Sequence, residues 1–256
     1  MENKLIQTDP SDLLKTQSNA RIGLGNVGGA LPTQQTLSIK LDHARAKDAV
    51  FSPLNTELLA DAFSEFDLPF FNLKSKAENK IDYLKRPDLG RRLDYNSLEI
   101  LEKSNEKPDI LLVITDGLSA EAVNRQVINV LKQLIPEWSK KHKIALALVE
   151  NGRVAIADEI GERLGAKFTA IFIGERPGLS SPHSMGIYTT FQPKVGLTDE
   201  SRNCISNIHP DGLSILQTVQ ILNYYKEESF RNEYSGFKLK LELNLFEEQK
   251  NTPIIG

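Results

Sequence analysis

Four short stretches carry side chains that can do chemistry at a strand-to-loop junction. In "IFIGERPGLSS", residues 171–181, an apolar run stops at Gly174 and is followed at once by Glu175, Arg176 and the rigid Pro177. Pro177 restrains the neighbouring Glu175, so its carboxylate can accept hydrogen bonds from amide donors with little ordering entropy to lose. The competing interpretation is a solvent-facing Glu175–Arg176 pair. "NGRVAIADEIG" places Arg153 and Val154 at the mouth of the same kind of junction, where Val154 offers backbone groups and an apolar contact. "VITDGLSAEAV" sets Asp116, Gly117 and Ser119 between a strand and a helix, which fits either a tight turn with Ser119 as N-cap or helix-start N–H groups facing a polar ligand. "RNCISNIHPDG" holds Cys204, Asn207 and His209. A thiol nucleophile needs a base and an orienting group, so a small half-buried cysteine in a ligand wall is the preferred role for Cys204.

Glycine spacing alone is uninformative here. "RIGLGNVGG" contains G-x-G-x-x-G at Gly23, Gly25 and Gly28, but "LKTQSNA" before it is no strand, so a flexible turn is expected instead of a dinucleotide site. No Gly-Lys-Ser/Thr occurs, which removes a Walker loop.

The elements that must position these residues fall into two parts. Residues 1–105 read as an N-terminal arm and a mainly helical annex, with helices expected from Thr33, as a cap, through "AVF" and over residues 53–66. Residues 67–95 mix turns with a basic cluster, suggesting a functional loop or a contact with another chain. Residues 106–256 change character: "DILLVITDG", "KIALALVENG" and "FTAIFIGERPG" are near-continuous apolar runs separated by helical patterns. That order predicts an α/β fold, a Rossmann-like, mostly parallel sheet flanked by helices. "MGIYTTFQP" is expected as an edge strand, residues 210–234 as a helix, and the alternating "FKLKLELNLF" as a terminal strand.

Composition narrows the function. The 256 residues carry 31 basic and 34 acidic side chains, a formal net charge of −3, so nothing electrostatic favours nucleic acid or an anionic membrane as partner. A single cysteine and the lack of any long apolar span favour a cytoplasmic setting.

Taken in order, "YLKRPDLGRRL", "ITDGLS", "GRVAI", "IGERLGAK", "IGERPGL" and "RNCISNIH" resemble the small (light) subunit of ethanolamine ammonia-lyase, over about three quarters of the chain from Arg21 to His209. The resemblance implies a cobalamin-binding role for residues 106–256, adenosylcobalamin (coenzyme B12) as cofactor, and a large barrel subunit as partner. It also implies a hetero-oligomer with six copies of each subunit. Val154, Glu175 and Cys204 match family positions that line the cobalamin, while catalytic residues and metal ligands are expected on none of this chain's positions. The implied reaction converts ethanolamine to acetaldehyde and ammonia by radical chemistry that begins with homolysis of the Co–C bond. Asn151 departs from the family, where an aromatic more often precedes Gly-Arg-Val. The N-terminal arm lacks the amphipathic targeting helix of some relatives, leaving a bacterial microcompartment as the alternative to the cytoplasm. His209 and Gly212 have the H-x-x-G spacing by which other cobalamin enzymes ligate cobalt, but Asn207 stands where those enzymes place Asp, so benzimidazole is expected to stay on the metal. Two other readings compete: a free-standing nucleotide- or phosphate-binding enzyme using Asp116, and a scaffold that binds no small molecule.

Overall fold

The computed structural model describes residues 21–178 and 183–241. Six strands, β1 (Phe70–Lys74), β2 (Ile110–Thr115), β3 (Ile144–Glu150), β4 (Phe168–Gly174), β5 (Met185–Phe191) and β6 (Arg202–Ile208), form one sheet in the order β1-β3-β2-β4-β5-β6. The central strands explain their own composition. Every residue of β2 and β4 is buried, because helices cover both faces and neither strand has a solvent side to make polar.

Alternate residues enter two cores. Ile110, Leu112 and Ile114 meet α5 (Ala120–Trp138) and α7 (Ile215–Asn232), together with Leu59 and Phe63 of α2 (Thr56–Ser64). Leu111 and Val113 face α6 (Ile156–Leu164) and Leu101 of α4 (Tyr95–Glu102). A Ser214–Gln217 capping box starts α7, and Gly165 at φ +67° ends α6, the left-handed conformation that glycine adopts without a Cβ penalty.

The sheet is mixed, which corrects the expectation of a mostly parallel Rossmann-like sheet. The pairings β1·β3, β2·β3 and β2·β4 are parallel, whereas β4·β5 and β5·β6 are antiparallel. The reason lies in the connections. A parallel return needs about a dozen residues or more, usually a helix, and the segments from Gly174 to Met185 and from Phe191 to Arg202 are too short to carry one. Two further differences follow. β5 is not an edge strand, because β6 pairs outside it, and β1 extends the sheet from within the stretch expected to be helical annex. Pro193 lies just past β5, where no ladder bond is required of it.

Helix α1 (Thr33–Phe51) begins at its expected cap: Pro32, one residue earlier, holds the N-cap position and makes no side-chain capping bond. Gly23, Gly25 and Gly28 all have positive φ, the first two in coil and the third in a turn closed by the Val27–Ala30 bridge; the residues before Arg21 lie outside the described ones. Residues 237–241 of the expected terminal strand are turn and coil, and the remainder lies outside the described residues.

Parallel pairing brings the carboxyl ends of β1 to β4 to one rim. Antiparallel β5 starts at that rim, where Met185 pairs with Gly174, and β6 ends there, where Ile208 pairs with Met185. All four chemistry-bearing stretches therefore meet along one edge of the sheet.

Candidate functional site

Glu175 follows β4 directly. Its Oε2 accepts hydrogen bonds from the Ser184 hydroxyl and, at 3.2 Å, from the Asn207 N–H. Asn207 reaches this position with φ +64°, a left-handed conformation that asparagine tolerates better than most residues. The other oxygen, Oε1, lies over Gly186, where a Cβ would come within 2.9 Å of it. The β5–β6 register shifts between Met185 and Ile187, so the bare glycine and the irregular pairing together make room for the carboxylate. Oε1 accepts no hydrogen bond among the described residues, and no Glu175–Arg176 ion pair forms among them. One oxygen is thus anchored and one is left as an acceptor.

Cys204 stands opposite Tyr188 in the β5–β6 ladder, which sets the thiol beside the phenol hydroxyl. Cys204 is exposed, not half-buried as expected, yet partial desolvation on the sheet face still pushes its thiol above the ordinary thiol range; the neighbouring Tyr188 hydroxyl opposes this and the Glu175 charge adds to it. Burial likewise raises Tyr188, with further increments from Cys204 and Glu175. At neutral pH this corner therefore holds a protonated thiol and a protonated phenol beside one carboxylate. A thiolate nucleophile does not suit it. Tyr188 was not anticipated from sequence, although strand alternation in "MGIYTTFQP" could have placed it on the same face as the position opposite it.

Val154 lies where β3 passes into α6 and packs against the same core as Tyr188. It lines a cleft of 630 Å³ whose walls include Arg91, Arg153, Ala155 and the Val195–Asp199 loop. Arg153 is held firmly: its guanidinium lies 4.0 Å from the Tyr83 ring centroid, Nη2 donates to Tyr83 O at 2.7 Å, and its N–H donates to Gly90 O at 2.7 Å. The "DLGRRL" glycine is needed for this approach, because a Cβ on Gly90 would meet Arg153 Cγ at 2.7 Å. Behind the loop, Arg202 is buried against Asp158, and its guanidinium also donates to Leu197 O at 3.3 Å and to Thr198 O. Burial pushes Asp158 up to about 6 even with Arg202 beside it.

Asp116 has a different role from a ligand. Its carboxylate takes Lys80 Nζ at 2.8 Å and the Asn151 N–H at 2.7 Å, and both ion-pair side chains are largely buried. Asn151, at φ +56°, also donates through its side chain to Ala77 O at 3.2 Å, which ties the β1, β2 and β3 loops together. The turn that leads into α5 is closed tightly against β4. Leu118 N–H donates to Gly174 O at 2.8 Å, and Gly117, at φ +56°, is packed so tightly that a Cβ would lie 2.3 Å from Gly174 O. Ser119 occupies the N-cap position of α5 without a side-chain capping bond.

His209 is nearly buried. Its Nε2 lies 2.8 Å from Asn207 Oδ1, and Nδ1 accepts from the Asp211 N–H at 3.3 Å, which assigns the proton to Nε2. Gly212 packs against the ring, a Cβ there falling 2.6 Å from Nε2. Among the described residues no group of three or more His, Cys, Asp or Glu is placed to hold a metal ion, and no helix is long and apolar enough to cross a membrane.

Comparison with known proteins agrees with this geometry. The family model "Ethanolamine ammonia-lyase light chain (EutC)" matches residues 8–240. An ethanolamine ammonia-lyase small subunit from Azotobacter vinelandii is 44% identical over 241 residues, covering 91% of this chain and 88% of its own length. Those of Ralstonia nicotianae and of Pseudomonas aeruginosa (strain UCBPP-PA14) are 43% and 42% identical, over 92% and 95% of this chain and 89% and 91% of theirs. The rim residues, the family match and these relatives together place the chain in the ethanolamine ammonia-lyase small-subunit (light-chain) family.

Proposed function

We propose that this subunit holds adenosylcobalamin at its interface with a large subunit, and that the assembled enzyme converts ethanolamine to acetaldehyde and ammonia. The observation that carries the proposal is the half-anchored Glu175 carboxylate. A corrin is rimmed by primary amides, and Oε1, which accepts no hydrogen bond among the described residues, is a fixed acceptor for one of their N–H groups. Such a charge-assisted bond contributes about 1.5–3 kcal/mol. Cys204 and Tyr188, both protonated, supply a weakly polar wall beside it, and Val154 an apolar contact across the rim. When bound, adenosylcobalamin supplies the radical-generating Co–C bond; this chain's residues bind and orient. Ethanolamine itself is assigned to the partner, since the chemistry-bearing groups along this rim are used for binding and anchoring.

The test is co-expression with the large subunit and an acetaldehyde assay with and without adenosylcobalamin. Activity should require both subunits and the cofactor. Turnover by this chain alone would instead favour a free-standing enzyme. Glu175→Gln should weaken cobalamin affinity by about 10–100-fold, the equivalent of the bond energy above, and leave kcat at saturating cofactor unchanged.

A further inference from the structure

The Val195–Asp199 loop between β5 and β6 is a strap held from outside itself. Arg202, the first residue of β6, lies against it with a side chain only 2% exposed. Its guanidinium donates through Nη2 to Asp158 of α6 and to Leu197 O at 3.3 Å, and through Nη1 to Thr198 O and, at 3.4 Å, to Asp199 Oδ1. At the other end Glu162, one turn along α6 from Asp158, accepts the Val195 N–H on Oε2 at 3.0 Å. Within the strap, Leu197 N–H reaches Lys194 O at 3.3 Å. One planar fork thus gathers two backbone carbonyls and two carboxylates, a geometry that an ammonium cannot reproduce.

Stability does not account for the buried pair. Arg202 Nε and Asp158 Oδ1 are buried and make no hydrogen bond among the described residues, and burial pushes Asp158 up to about 6 despite the guanidinium beside it. A buried ion pair with unused donors and acceptors is often no more stabilising than apolar side chains of the same volume. What Arg202 supplies is a fixed strap, and the strap walls the site. Its whole length, Val195 to Asp199, lines the cleft that Val154 lines. Burial raises Tyr188 most, and the Asp199 charge adds to it, so the strap also reaches toward the Tyr188–Cys204 corner.

We propose that Arg202 is a positioning residue: with Asp158 and Glu162 of α6 it latches the Val195–Asp199 strap closed along the Val154 cleft, and the closed strap lets the site hold its corrinoid tightly. The proposal rests on the cobalamin reading above and goes beyond it, because Arg202 and Glu162 act through the strap and not on the ligand. A strap free to open lowers affinity in proportion to the fraction of molecules in which it is closed, without altering the bound complex.

The complex with the large subunit is used throughout. Deuterium exchange at the strap amides and cyanocobalamin binding by equilibrium dialysis are measured, with kcat taken at saturating adenosylcobalamin. Glu162→Ala removes the acceptor for Val195 at an exposed side chain and should leave the melting temperature little changed. Strap exchange should quicken about 5-fold or more and cyanocobalamin affinity fall about 3–10-fold, while kcat holds. Glu162→Gln keeps an acceptor oxygen and should restore affinity to within about 2-fold. Arg202→Lys keeps the charge, loses the fork and should lose about 10-fold or more. Should that variant fail to assemble, the two Glu162 variants decide.

Faster strap exchange with unchanged affinity would make the strap purely structural, and unchanged exchange in Glu162→Ala would mean no latch; either overturns the proposal. So would a Glu162→Gln variant as weak as Glu162→Ala, which would trace the loss to charge and not to the bond. Glu175→Gln separates the latch from the parent reading. If it weakens cyanocobalamin binding while the strap variants do not, only the latch falls. If the strap variants weaken binding and Glu175→Gln does not, the latch stands and the Glu175 anchor falls. If none changes affinity, the corrinoid lies away from this rim and both fall together.

Discussion

Glu175 and Gly186 are matched across the β4–β5 pair: the carboxylate lies where a side chain on residue 186 would have to be, with Oε1 2.9 Å and Cγ 3.2 Å from an ideal Cβ. A strand glycine normally weakens a sheet through lost packing and greater unfolded-state entropy, so its place here reflects the close approach of another group. Gly186→Ala should therefore push the carboxylate off Ser184 and Asn207. Cobalamin affinity of the assembled enzyme should drop by several fold, roughly half the free-energy effect of Glu175→Gln, and thermal stability should change little. Equilibrium dialysis alongside a melting curve checks this. An unchanged affinity would show that the glycine is there for the β5–β6 register alone.

Cys204 offers a readout of its own environment. Partial desolvation raises its thiol, so the thiolate fraction at pH 7.5 is smaller than for a free cysteine. Iodoacetamide should label it slowly at that pH, with a rate still climbing above pH 9. Tyr188→Phe removes the one interaction that lowers the thiol and should slow labelling further. Rapid labelling that levels off below pH 7 would mean an activated thiolate and a different chemistry at this rim.

Asp158 ties stability to pH. Burial lifts its folded value to about 6, above the carboxylate's ordinary 3.8, so the native state holds this proton more tightly than the unfolded chain. Its contribution to stability is full below the unfolded value and is lost as pH rises toward 6. Asp158→Asn leaves the Arg202 guanidinium buried without its counter-charge, which costs about 3–5 kcal/mol at neutral pH. Urea denaturation at pH 7.5 and pH 5 should show the variant's deficit widening at the lower pH, where native Asp158 takes up a proton that the unfolded chain holds more weakly and the variant has no such gain. A deficit independent of pH would place the titration elsewhere.

His209 already has both ring nitrogens engaged, Nε2 with Asn207 and Nδ1 with the Asp211 N–H. Ligating a metal would require breaking one of these bonds within a loop that Gly212 packs tightly. The cob(II)alamin spectrum of the complex with ¹⁵N-labelled histidine should show hyperfine splitting identical to that of unlabelled protein. A histidine-dependent change at cobalt would reverse this assignment.

Much of the fold was legible because burial on both faces leaves a simple trace. "ILLVIT" and "FTAIFIG" can only be central strands of a covered sheet, and α5 and α7 follow from apolar spacing that needs no partner to be seen. Strand β1 was hidden because "FFNLK" is short and half-exposed, and its pairing with β3 bridges many residues. Strand β6 was hidden for a related reason: "RNCISNI" is polar because it is an edge strand whose Cys204, Ser206 and Asn207 are exposed. Val154, Glu175 and Cys204 rested on ordered motifs resembling a family, and their types suited the role.

By itself the sequence determined an α/β chain with a polar rim, no excess of positive charge and one thiol, because composition and local periodicity act over a few residues. Tertiary structure alone decided which way β5 and β6 run, which groups share the Glu175 carboxylate, and that Asp116 is spent on Lys80 and Asn151. It also decided that Arg153 is held on the Tyr83 ring and carbonyl. Those outcomes depend on contacts between residues tens of positions apart, whose partners are set by how the sheet closes and not by their neighbours in the chain.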